Sequence, residues 1–199
     1  MMKNNEWGAV AYLTHSIYGR CSNATTCSEI GINNNDSYIT GYGAPAGTVQ
    51  NTNNDTYETA KGQNASTTGN IYGIYDMSGG AYEYVMGLYK PEPILPTGIE
   101  DKSGFSSTTS DSQYDLLTID TKYYNTYINA TAYTTLGLQH ALTETAGWHS
   151  DYAGFVYSNY PWFIRGGSSD SNTSAGVFNF HRVRGNISDY DGFRLAVVK

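Results

Sequence analysis

The side chains able to do chemistry are few and scattered. Histidines stand at His15, His140, His149 and His181, and none lies in a spacing such as H-E-x-x-H or beside a nucleophile motif. Ser168 follows Arg-Gly-Gly, which is not the G-x-S-x-G elbow of a hydrolase. Surface or hydrogen-bonded histidines are therefore expected, and no catalytic residue is assigned. Cys21 and Cys27 bracket the small polar loop "CSNATTC". A short disulfide staple and a pair of unpaired loop thiols are both open readings. With no histidine or third cysteine close by in sequence, the two are not expected to make a zinc site.

Around these groups the chain offers one domain's worth of structure. Its 199 residues can bury a real core, and 39% hydrophobic content with 19 tyrosines argues against disorder. A net charge of −7 repels phosphate backbones, so nucleic acid is not an expected partner. No run approaches the roughly 18 apolar residues of a bilayer span, so no direct membrane insertion by this chain is expected. The opening "MMKNNEWGAVAYL" lacks the basic start and apolar stretch of a secretory signal.

Helical signal concentrates in "NNEWGAVAYLTHSIYG", where Trp7, Val10, Ala11 and Thr14 share a face, Asn4 or Asn5 can cap the start and Gly19 can end it. Residues 20–70 read as long loops with short extended pieces such as "SYIT". "GIYDMSGGAYEYVMGLY" is strand-like, "KPEPILPTG" must be irregular, and "PWFIRGG" and "GFRLAVV" read as two buried strands. Neither internal repeats nor a domain-splitting linker is visible.

Three phrases in order carry a resemblance. "NIYGIYDMSGGAYEYV" resembles the "N-x-x-G-L-Y-D-M-x-G-N-V-W-E-W" signature of the formylglycine-generating enzyme family, "FIRGGS" with "GFRLA" resembles its closing pair, and "MMKNNEWGAVAYL" its "E-A-E-W-E-Y-A-A-R" helix. The resemblance implies an α+β, C-type lectin-like fold with few helices, small twisted sheets and much loop. It also implies a chain that starts inside the domain, without the family's first strands. The family's oxidases use a cysteine pair late in the chain. No cysteine follows Cys27, so their thiolate chemistry, and any redox cofactor, is not expected. The signature in that family can cradle a structural calcium ion. By position, Asp76 and Glu83 would give carboxylate oxygens, and Gly79 and Ala81 carbonyls; the alternative is that Asp76 and Glu83 only hydrogen-bond backbone amides and fix the turn.

The same fold includes the variable proteins of diversity-generating retroelements, whose last strands and loops are rewritten through adenine-directed mutagenesis. Randomised Asn codons that keep their final pyrimidine exclude Lys, Glu, Gln, Met and Trp. From Arg165 to Asp191 these five types are absent. The residues 164–192 are therefore expected to form a variable region. Its exchangeable positions are Ser168, Ser169, Asp170, Ser171, Asn179, His181, Val183, Arg184, Asn186, Ser188, Asp189, Tyr190 and Asp191. In "AGVFNF", Phe178 and Phe180 are expected on a core face, with Asn179 and His181 on the exposed face.

The expected function is that of a non-enzymatic receptor of bacterial or phage origin. Its ligand would be a protein or carbohydrate on another cell or virion, and display would place the receptor on a cell surface or virion. The alternatives are a plain domain of the same fold with one fixed partner, and a hydrolase or oxidase with an unrecognised site.

Overall fold

The computed structural model describes residues 1–31, 58–89, 120–128, 140–157, 159–185 and 188–196. The expected strand "SYIT", the proline-rich "KPEPILPTG" and Asn186 lie outside them. The described chain is α+β: one full helix, a short helical turn, and a mixed, open five-stranded sheet within much irregular backbone.

Helix α1 runs Asn4–Thr14 and buries Trp7, Ala11 and Thr14, as the spacing predicts. Its start differs from expectation. Lys3 is the cap position, and the Glu6 carboxylate accepts the Lys3 N–H at 2.8 Å. Asn4 does not cap because its side chain is committed elsewhere: fully buried, it donates to the Tyr127 hydroxyl at 2.8 Å. The Asn5 N–H is satisfied from outside the helix by Asn125 Oδ1. The helix also ends before Gly19. That glycine packs against the Leu13 and Thr14 carbonyls so closely that a Cβ would lie 2.3 Å from both. A second helical turn, α2, spans Ala60–Gln63.

The strands are β1 (Tyr82–Tyr89), β2 (Asn125–Tyr127), β3 (Trp162–Gly166), β4 (Gly176–Val183) and β5 (Asp191–Phe193). The order is β2-β1-β3-β4, with β3 antiparallel to both neighbours. The other edge of β1 is shared: β5 pairs with its first half and β2 with its second, both parallel. In "YEYVMGLY" alternate side chains face opposite ways. Val85 and Tyr89 join the main core under α1 with Trp7, Met77, Tyr127, Phe163, Phe178 and Phe180. Tyr84, Met86 and Leu88 join a second cluster with Tyr124, Trp162 and Val183. Burying each large side chain contributes about 2–3 kcal/mol.

Trp7 ties the layers together. It is completely buried, and its indole N–H donates to the Val177 carbonyl at 2.8 Å. The guanidinium of Arg165 lies 5.7 Å from the ring centroid and that of Arg194 lies 5.6 Å from it. Arg165 is wholly buried, and desolvation pushes its pKa down to about 10.

One expected strand is not the element it resembles in sequence. In "GFRLAVV" only Gly192 and Phe193 belong to β5, and Phe193 and Leu195 are exposed rather than buried. The strand lies along an edge, and the residue turned inward is Arg194, toward Glu83.

Candidate ligand-binding cleft

The strand registers put one row of side chains on a single face. Asp191 lies opposite Tyr82, Tyr84 opposite Ile164, and Ile164 opposite His181. These residues floor a cleft of about 440 Å³. Its walls come from Ser168 and Asp170 after β3, Val183 and Arg184 at the end of β4, Ser188 and Tyr190 before β5, and Tyr160. The glycine turn after β3 makes the approach possible: Gly166 and Gly167 have φ of 84° and 77°, and a Cβ on Gly167 would strike Ala175 at 2.7 Å.

The cleft mixes aromatic faces with few, well-placed polar groups. The His181 ring stacks on Tyr152 with centroids 4.6 Å apart, and its Nδ1 accepts the Arg182 N–H at 2.8 Å. Burial lowers the His181 pKa, favouring the neutral imidazole at neutral pH. Burial likewise raises Asp191 and Tyr84, the latter with help from the Asp191 charge. The Arg184 guanidinium lies over the Tyr160 ring at 5.1 Å from its centroid. The Tyr82 hydroxyl meets Ser171 Oγ at 3.1 Å, which docks the polar turn Ser169–Ser174 against the sheet. Such a surface can bind by stacking, cation–π contact and directed hydrogen bonds.

Of the residues expected to vary, Ser168, Asp170, His181, Val183, Arg184, Ser188, Tyr190 and Asp191 converge on this cleft. Ser168 is nevertheless largely buried, at its base. Ser169 opens the neighbouring turn, Ser171 braces Tyr82, and Asp189 is exposed beside Tyr190. Asn179 contradicts the expectation of an exposed face: it is completely buried. The cause is a bulge. Arg165 pairs with Phe180 while the next residue, Gly166, pairs with Gly176, which leaves Val177 to Asn179 without partners on β3. Phe178 and Phe180 still share the core face, but the Asn179 amide is covered by the neighbouring turn, where it donates to the Ser174 carbonyl at 2.6 Å. The bulge is pinned by Asp151, whose Oδ2 accepts the Phe178 N–H at 2.9 Å. Glu29 packs against Asp151, and burial with the neighbouring acid raises the Glu29 pKa to about 8.

Sequence reasoning missed Tyr82, Tyr84, Tyr160 and Ile164. The signal was present for the first two, since "YEYV" alternates tyrosines with residues that turn into the core.

Of the four positions expected to hold calcium, Glu83 is committed elsewhere. Both carboxylate oxygens of Glu83 are bound by the Arg194 guanidinium, through Nε and Nη2. The same guanidinium donates to the carbonyls of Tyr75 and Asp76. Asp76 and Gly79 bend the loop, with φ of 63° and 73°, and the Gly79 N–H donates to Gly166. The oxygens of this turn thus surround a monovalent cation that belongs to the chain, and a divalent ion beside it would be repelled. Ala81 lies in the same turn, immediately before β1.

The histidines also find partners. His140 Nδ1 meets the Tyr127 hydroxyl at 2.7 Å, and the His15 and His149 rings lie side by side. Cys21 and Cys27 are joined as a disulfide, which decides between the two open readings. Among the described residues no helix is long and apolar enough to cross a membrane. No protein-family model, no curated protein and no solved structure matches the chain.

Proposed function

We propose that this chain is a non-enzymatic ligand-binding protein of the C-type lectin-like, formylglycine-enzyme-like kind, diversified at its C-terminal surface by a retroelement. The observation that carries the reading is the convergence on one cleft of residues drawn from both sides of the "AGVFNF" strand, with a floor of Tyr82, Tyr84 and Ile164 from outside the segment 165–191. Tyrosines outside the exchangeable set, ringed by exchangeable side chains, suit a receptor whose specificity changes while its backbone does not. Tyr190, Arg184 and His181 are the anchors of contact, and Ser188 and Asp170 the adaptable polar groups. The ligand is a protein or carbohydrate on another cell or a virion, and the chain acts where it is displayed, on a cell surface or virion.

The DNA of the locus tests this directly. The expected finding is a reverse-transcriptase gene nearby and a near-copy of the codons for 165–191 that differs only at adenines. A locus without such a copy refutes diversification and leaves a receptor with one fixed partner.

A further inference from the structure

Away from the cleft, the fold gathers three metal-ligating groups from one stretch of chain. His15 follows the last turn of α1, and Cys21 and Cys27 bracket the next loop. One ligand atom from each lies within 4.8 Å of the other two. A further imidazole stands beside His15: the His149 ring centroid is 5.4 Å from that of His15, at 73° to it. Two imidazoles on one tetrahedral zinc have centroids about 5 Å apart, given a Zn–N bond near 2.0 Å. Phe178 packs against both rings and Trp148 against that of His15.

His149 is held there against its backbone preference. Its φ is 57° and that of Ser150 is 70°, left-handed conformations that non-glycine residues adopt at a cost and that cluster at functional sites. The loop from Ser22 to Thr26 is exposed throughout.

We propose that reduction of the Cys21–Cys27 bond turns this corner into a zinc site with Cys21 Sγ, Cys27 Sγ, His15 and His149 as ligands. A dithiol reductant supplies two electrons and two protons, the S–S bond breaks, and the reductant leaves as its own disulfide. Zinc then displaces the two thiol protons to solvent. The resulting centre, one Zn²⁺ with two thiolates and two neutral imidazoles, carries no net charge, which suits a half-buried position. The sulfurs need only part to about 3.8 Å, the edge of a tetrahedron with Zn–S near 2.3 Å. The chain thereby exchanges a covalent staple for a metal one when the thiol–disulfide poise changes.

The full-length protein, reduced with a dithiol and desalted without oxygen, is titrated with Co²⁺ and then Zn²⁺. The expected result is one equivalent of cobalt with a thiolate-to-cobalt charge-transfer band and tetrahedral d–d absorption, both displaced by zinc. The oxidised protein and the folded C21S/C27S double variant give neither. H15A and H149A each weaken zinc binding by about tenfold or more while retaining the wild-type far-ultraviolet circular dichroism. Absence of stoichiometric cobalt in the reduced, folded wild type overturns the proposal without recourse to any variant. Undiminished binding in both histidine variants overturns the ligand set.

Discussion

The guanidinium of Arg194 binds both carboxylate oxygens of Glu83 across 111 positions of sequence, from just beyond β5 to the first half of β1. Both side chains are mostly buried, and the pair lies where the parallel edge strand meets the sheet. It fastens the end of the loose segment to the centre of the fold. Replacing Arg194 with Lys removes the planar fork that serves Glu83 and the Tyr75 and Asp76 carbonyls together. R194K is expected to lose about 3 kcal/mol of unfolding free energy, measured by urea denaturation at constant m-value. A loss under 0.5 kcal/mol would show that the pair contributes nothing.

Because the Arg194 guanidinium occupies both carboxylate oxygens of Glu83, that residue is not free to bind calcium. The melting temperature is expected to be unchanged, within error, between excess chelator and millimolar Ca²⁺. A calcium-dependent rise of several degrees would contradict the geometry described for Glu83.

The bulge in β4 separates two classes of position. N179A deletes the donor to the buried Ser174 carbonyl and is expected to cost about 2 kcal/mol. Exchanges at the exposed Arg184, Ser188 and Tyr190 are expected to stay within about 0.5 kcal/mol of wild type. Chemical denaturation of the single variants checks both expectations, and equal costs at Asn179 and Tyr190 would sink the distinction.

The Glu29–Asp151 contact predicts a pH dependence. A carboxyl whose pKa is raised by folding, as Glu29 is to about 8, contributes most below its unfolded value near 4 and loses that contribution as pH rises toward 8. His140, His149 and His181, all lowered by burial, act in the opposite sense as pH rises through their range. The diagnostic quantity is therefore the difference between wild type and E29Q, which keeps a donor toward Asp151 but cannot ionise. That difference is expected to move in favour of E29Q steadily from about pH 4 to pH 8. A difference independent of pH would show that Glu29 ionises as it does in the unfolded chain.

Periodicity made the helix legible, because Trp7, Ala11 and Thr14 recur at the spacing of one face, and it made Phe178 and Phe180 legible as core. It also marked His181 as facing away from that core. It could not reveal Asn179, since a bulge is set by pairing with a strand elsewhere in sequence and by the Asp151 carboxylate beneath it. Nor could it reveal Arg194 at Glu83. That proximity is made by tertiary packing, and single residues 111 positions apart leave no local pattern. The tyrosine floor lay in plain view in "YEYV", but its meaning depended on knowing that β3 and β5 flank that strand.

The sheet works as a partition. On one side Trp7 and the phenylalanines form the main core; on the other a smaller apolar cluster lies under the cleft, and Tyr84 and Val183 belong to both. On the proposed receptor reading, a library confined to the exposed rim at Arg184, Ser188 and Tyr190 should therefore sample recognition at nearly constant foldability.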